Sequence, residues 1–191
     1  MNSTRSSADR FDLFAERFCG MRLEPFQRLI VEDVFTDRRE LLVLLPRGNG
    51  KTTLMAAVGV YALLWTPEPA IYVCAASRDQ ARLLFDTAKR MVRGHHELKR
   101  RITARYSELR VDGGFLRVIA SDAPLAHGLT PSLVLVDELH AHRDGELYEA
   151  MRTSLLKRPG ARMVTISTAG SDVDGVLGRL RARALSQLSR S

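Results

Sequence analysis

Two clusters of residues in this 191-residue chain have the types and spacing to do chemistry together. The first is Pro46-Arg47-Gly48-Asn49-Gly50-Lys51-Thr52-Thr53, which follows the apolar run Leu41–Leu45. A strand, a glycine turn and a helix start aim backbone N–H groups at one point, which makes a cradle for phosphates. All eight residues are therefore candidate nucleotide-binding positions. Lys51 is spaced to reach β- and γ-phosphates, and Thr52 to bring its hydroxyl to Mg²⁺. The usual pattern has a glycine five positions before Gly50, where this chain has Leu45, so the loop is a variant form. Arg47 reads either as a solvated loop arginine or as a guanidinium stabilising charge on a γ-phosphate during transfer.

The second cluster is Asp137-Glu138, at the end of the apolar run Leu133–Val136. Acids at the carboxyl end of a buried strand stand where ligands bind in open α/β sheets. Asp137 suits a magnesium ion, held through water, and Glu138 suits orienting or deprotonating the attacking water. His140 and His142 follow at once, but a two-residue spacing on a turn is a poor metal-ligand set. His140 instead reads as a polar contact towards the nucleotide or as a plain surface histidine. Ser167-Thr168-Ala169-Gly170 closes a later apolar run; its hydroxyls either sense a γ-phosphate or simply end a strand. Gln27 has the donor and acceptor to pair with an adenine edge. Taken alone, it reads as a surface glutamine.

These residues need a scaffold, and hydrophobic periodicity supplies one. Helices are predicted at Phe11–Cys19, Pro25–Phe35, Lys51–Trp65, Asp79–Val92, Gly145–Leu156 and from Gly175 onward. Buried strands are predicted at Leu41–Leu45, Ala70–Ala76, Leu133–Val136 and Met163–Ser167. Thr103–Val111 and Phe115–Ser121 flank Asp112-Gly113-Gly114, a hairpin signature. Strand–helix alternation predicts an α/β fold with a mainly parallel central sheet and helices on both faces, the layout of a P-loop NTPase. The expected organisation is an extension with a short helix over 1–22, one domain over 23–174, and an arginine-rich helix over 175–191.

Composition narrows the classes further. Hydrophobic residues make up 45% of the chain, enough for one sizeable core and too many for a disordered tail. The run Leu54–Trp65 falls short of the roughly 20 apolar residues that span a bilayer. Cys19 and Cys74 fit no metal or redox spacing, which suits a reducing compartment. Basic residues exceed acidic ones by seven, a balance that suits polyanions but that codon bias also produces. The side-chain faces Arg78/Arg82/Lys89/Arg93 and Arg179/Arg181/Arg183 read as solvated surfaces or as DNA contacts.

With these pieces in order, the chain resembles the large terminase subunit of tailed bacteriophages, in its amino-terminal ATPase domain. Four segments carry the resemblance: Leu23–Gln27, Pro46–Thr53, His127–His142 and Ile166–Gly170. It implies that Gln27 contacts adenine, that Arg47 and Lys51 contact phosphates, and that Thr52 and Asp137 hold Mg²⁺. It further implies Glu138 as the catalytic acid and Ser167/Thr168 as the coupling motif. The implied activity is ATP hydrolysis that drives double-stranded DNA into a procapsid. The implied partners are the portal protein, the small terminase subunit and further copies in a ring on the procapsid, with a monomer in dilute solution. The implied setting is the host cytoplasm, with no membrane. Members also carry a nuclease domain; no DNA cleavage is expected from residues 1–191. Related motors take an arginine from a neighbouring subunit, but between Ile119 and Val136 this chain has none. Two other readings remain at this point. Asp137-Glu138-Leu139-His140 is similar to a DExH helicase box, and the same loop also fits a non-catalytic nucleotide-binding assembly module.

Overall fold

The computed structural model describes residues 6–75, 77–120, 128–141, 145–169 and 174–188. Helix α1 (Ser7–Cys19) begins four residues before the apolar pattern does, because Ser6 and Asp9 form a capping box at its start. Phe11 and Phe14 pack from α1 onto α2 (Pro25–Val34) and α3 (Lys51–Trp65), meeting Phe35, Tyr61 and Trp65. The segment expected as an extension thus adds aromatic side chains to the main core.

Among the described residues, seven strands form one sheet: β1 (Glu40–Leu44), β2 (Ala70–Ala75), β3 (Thr103–Ala104), β4 (Glu108–Val111), β5 (Gly114–Ala120), β6 (Leu133–Asp137) and β7 (Arg162–Ser167). Their order is β1-β7-β6-β2-β5-β4-β3, parallel as far as β5 and antiparallel beyond it. Alternate residues along the central strands feed two cores, as a sheet covered on both faces requires. Ile71, Val73, Leu133, Leu135, Val164 and Ile166 join the core that includes α3 and α4 (Arg78–Gly94). Tyr72, Cys74, Val134, Val136 and Met163 join the other, with α6 (Glu146–Ser154) and α7 (Val176–Leu188). The expected α/β architecture is therefore present. Helix α3 lies so close to the sheet that a Cβ at Gly59 would stand 2.8 Å from Leu116 and 3.1 Å from Leu135. Among the described residues, no helix is long and apolar enough to cross a membrane.

Two expectations are corrected. The run Leu41–Leu45 is not a buried strand: β7 inserts between β1 and β6, which leaves β1 at the sheet edge and only half-buried. Thr103–Val111 is not one strand but two short ones, β3 and β4, paired antiparallel across the turn at Arg105–Ser107. The predicted hairpin turn itself is present, with Val111 opposite Gly114. A short helix, α5 (His96–Arg101), was not legible because it buries only Leu98 and has no apolar period.

Candidate functional site

Strand register brings the chemistry together. Leu44 pairs with Ser167, Ile166 with Asp137, and Asp137 with Ala75, so β1, β7, β6 and β2 end side by side. The segments leaving those ends line a cavity of about 490 Å³. Arg47, Gly48, Gly50, Lys51, Thr52 and Thr53 contribute from the loop and the start of α3, Asp137 and Glu138 from β6, and Gln80 and Leu83 from α4.

The loop is held by backbone contacts as much as by its own sequence. The Leu45 N–H donates to the Ser167 carbonyl at 3.0 Å, tying the loop's entry to β7. Asn49 Nδ2 donates to the Pro46 carbonyl at 3.1 Å across the turn. Pro46 and Asn49 therefore shape the loop without lining the cavity. Gly50 caps α3 in the left-handed region, φ +68°, and a Cβ there would lie 3.2 Å from Gln27 Nε2. Both the backbone angle and the space call for glycine.

Gln27 is not the surface residue that its type suggested. It is 7% exposed; its Oε1 accepts from the Glu24 N–H at 3.1 Å and its Nε2 donates to the Asn49 carbonyl at 3.2 Å. The side chain pins the glycine-rich loop to the start of α2 and is not among the residues lining the cavity. Lys51 is also enclosed, at 6% exposure. Its Nζ donates to the carbonyls of Pro46 at 3.1 Å and Leu45 at 3.4 Å, and stands 3.7 Å from Glu138 Oε1. Arg47 is exposed at the cavity's rim.

On the other side, Asp137 is 3% exposed and hydrogen-bonded by the Thr52 side chain. Burial, reinforced by the neighbouring Glu138 carboxylate, pushes the Asp137 carboxyl up to about 6; Lys51 and Thr52 pull the other way. Glu138 occupies the left-handed backbone region, φ +48°, which is uncommon for a residue with a side chain. Its N–H donates to the Ile166 carbonyl at 3.0 Å. Its Oε2 accepts from the Thr168 N–H at 3.2 Å and from Thr168 Oγ1 at 3.4 Å. Glu138 thus bridges Lys51 and Thr168. Ser167 is fully buried in β7, and its carbonyl accepts from the Leu45 N–H.

Aspartate and threonine oxygens are hard donors that fit Mg²⁺. Among the described residues, no three His, Cys, Asp or Glu side chains come together as a metal-holding group. The backbone of His140 lies in the tight turn Leu139–Ala141, while His127, His142 and Gly170 fall outside the described residues. Gln80 and Leu83 were missed from the sequence. The one available signal was their position at a helix start just after an apolar strand; that β2 borders β6 is not written there.

The family "Terminase large subunit, ATPase domain" matches residues 25–184. No curated protein matches the chain. Among solved structures, the large terminase of bacteriophage HK97 is similar with a TM-score of 0.87 and 24% identity, over 96% of this chain and 42% of that one. The large terminase ATPase domain of Thermus phage P74-26 is similar at 0.66 and 22% identity, over 82% of this chain and 68% of that one. The large terminase of another thermophilic bacteriophage, in complex with ATP-gamma-S, is similar at 0.54 and 13% identity, over 85% of this chain and 37% of that one. At these identities the likeness shows the fold. The chain spans 42% of the length of the HK97 protein.

Proposed function

The chain belongs to the family of terminase large-subunit ATPase domains, and from that premise we propose that it binds ATP with Mg²⁺ in the cavity between the phosphate loop and β6. There it hydrolyses ATP to move double-stranded DNA into a procapsid. The observation that carries this reading is the convergence of Lys51, Thr52, Asp137 and Glu138 on one cavity from two distant segments. Lys51 and the N–H groups of the loop bind the β- and γ-phosphates. Thr52 and Asp137 would hold Mg²⁺, which would supply positive charge to offset that of the phosphates. Glu138 takes the proton of the attacking water. Arg47, exposed at the rim, swings onto the γ-phosphate. Thr168, bonded to Glu138, passes the state of the phosphate site to β7. Gln27 supports the site by holding the loop, and an adenine contact requires it to use amide valences left over from the Glu24 and Asn49 bonds.

The DNA substrate, the portal and small-subunit partners, the ring on the procapsid and the host cytoplasm follow from the family and form the wider part of the proposal. Phosphate release from Mg·ATP, with nucleotide binding measured alongside, tests the core of it in wild type and Glu138→Gln across a protein concentration series. Turnover that is lost in the variant while binding persists supports the reading. Absence of nucleotide binding, or wild-type turnover in Glu138→Gln, overturns it.

A further inference from the structure

Gln80 lines the cavity with a polar side chain that the roles above leave unused. Its position is set by a rigid element. The Ser77 side chain accepts from the Gln80 N–H at 3.3 Å at the start of α4, and the neighbouring Ala81 and Leu84 are fully buried. Because β2 lies beside β6, with Ala75 opposite Asp137, the chain leaving β2 delivers this residue to the same cavity as Glu138. The Gln80 Oε1 is shielded from solvent and has no hydrogen-bond partner among the described residues. A shielded carbonyl without a donor has lost its water and gained nothing in return, which destabilises the fold. A surface-type helix start has many residues that avoid this cost. An acceptor kept unpaired in a cavity of Lys51, Thr52, Asp137 and Glu138 points to a donor that arrives with the substrate.

We propose that Gln80 holds the attacking water jointly with Glu138, an inference that rests on the hydrolytic reading of this cavity. A carboxamide accepts through Oε1 and donates through Nε2, so it can take one hydrogen of the water while giving a hydrogen bond to a γ-phosphoryl oxygen. In the reaction, the water oxygen bonds to the γ-phosphorus as the bond from that phosphorus to the β,γ-bridging oxygen breaks. The bridging oxygen leaves on ADP with the electron pair, and the other water proton passes to Glu138. Gln80 stays neutral and acts by aligning the water. Its contribution therefore belongs to the transition state and not to ground-state nucleotide binding.

The test compares binding of Mg·ADP with that of Mg·ADP and aluminium fluoride, a mimic of the planar phosphoryl group, in wild type, Gln80→Ala and Gln80→Met. Wild type is expected to bind the fluoride complex more tightly than ADP. Both variants are expected to lose at least tenfold of that preference while their affinity for Mg·ADP stays within threefold. Gln80→Met keeps the side chain's length and removes the unpaired oxygen, so its Tm should equal or exceed that of wild type, which separates the loss from misfolding. Wild-type preference in either folded variant overturns the inference alone. A parallel loss of Mg·ADP affinity overturns it in favour of a ground-state contact. No preference in wild type overturns it too, because Gln80 and Glu138 then do not hold an in-line water. No binding of Mg·ADP to wild type removes the phosphate-site reading and this inference together.

Discussion

The two halves of the site are built by opposite means. The phosphate-loop half is contiguous in sequence, sits on the sheet's half-buried edge strand, and obtains its shape from local turn chemistry: Asn49 across the turn, Gly50 in the left-handed region, Lys51 folded onto loop carbonyls. The acidic half buries Asp137 and Ser167, leaves Glu138 and Thr168 half-buried, and draws its parts from β6, β7 and α3. It carries the unfavourable features of the site: a carboxyl held in a shielded position and a glutamate in a left-handed conformation. Binding groups need only be near the ligand, which a loop on an edge strand permits. The base and metal-ligand roles proposed for Glu138 and Asp137 demand fixed alignment, and tertiary bonds enforce that at a cost in stability.

The largest effect expected from this contrast is on turnover. Glu138→Gln removes the proposed proton acceptor and should lower kcat by about 10²–10⁴-fold while leaving nucleotide affinity within a few-fold, read by phosphate release and direct binding. If affinity and turnover fell together, the division between a binding half and a catalytic half would fail. Lys51→Ala strikes the other half. The loss of a charge-assisted phosphate contact should weaken ATP binding by about 100-fold, measurable by titration with a fluorescent nucleotide.

Asp137 sharpens the comparison through stability. Its carboxyl is raised to about 6 from an ordinary value of 3.8, so the folded state favours the protonated form. That preference contributes stability below pH 3.8 relative to the ionised state, and the contribution is lost as pH rises through about 6. Asp137→Asn should therefore be more stable than wild type by about 2–3 kcal/mol at pH 8, with the gap closing towards pH 4, while losing its response to Mg²⁺. Thermal melts across that pH range check it; a variant less stable than wild type at pH 8 would contradict the cost assigned to this half.

The smallest effect belongs to the clamp on the loop. Gln27→Ala breaks two hydrogen bonds, to the Glu24 N–H and the Asn49 carbonyl, and should cost about 1 kcal/mol of stability. ATP affinity should fall by about fivefold as the loop loses its anchor. A much larger loss specific to adenine nucleotides, absent with inorganic triphosphate, would instead assign Gln27 a direct contact with the base.

How much of this was legible follows the same division. The phosphate loop was readable because its residues are neighbours in the chain and each does its work through local backbone geometry. The helix over Asp79–Val92 was readable from its apolar period for the same reason, and Ala81, Leu84, Phe85, Ala88, Met91 and Val92 along it are buried. The edge position of β1 was not, because an apolar run looks alike at the edge and at the centre of a sheet. Gln27 had the composition of a surface residue and lies buried against the loop. Gln80 had no motif at all.

By itself the sequence determined the alternation of strands and helices, the two faces of the sheet and the two clusters of chemistry, since hydrophobic period and turn residues act over a few neighbouring positions. Only the tertiary structure decided that β7 separates β1 from β6, that Thr168 and Lys51 converge on Glu138, that Asp137 is buried beside Thr52, and that α4 brings Gln80 into the same cavity. Strand order and register depend on which long-range pairings bury the most apolar surface, and that is a property of the whole chain, not of any window along it.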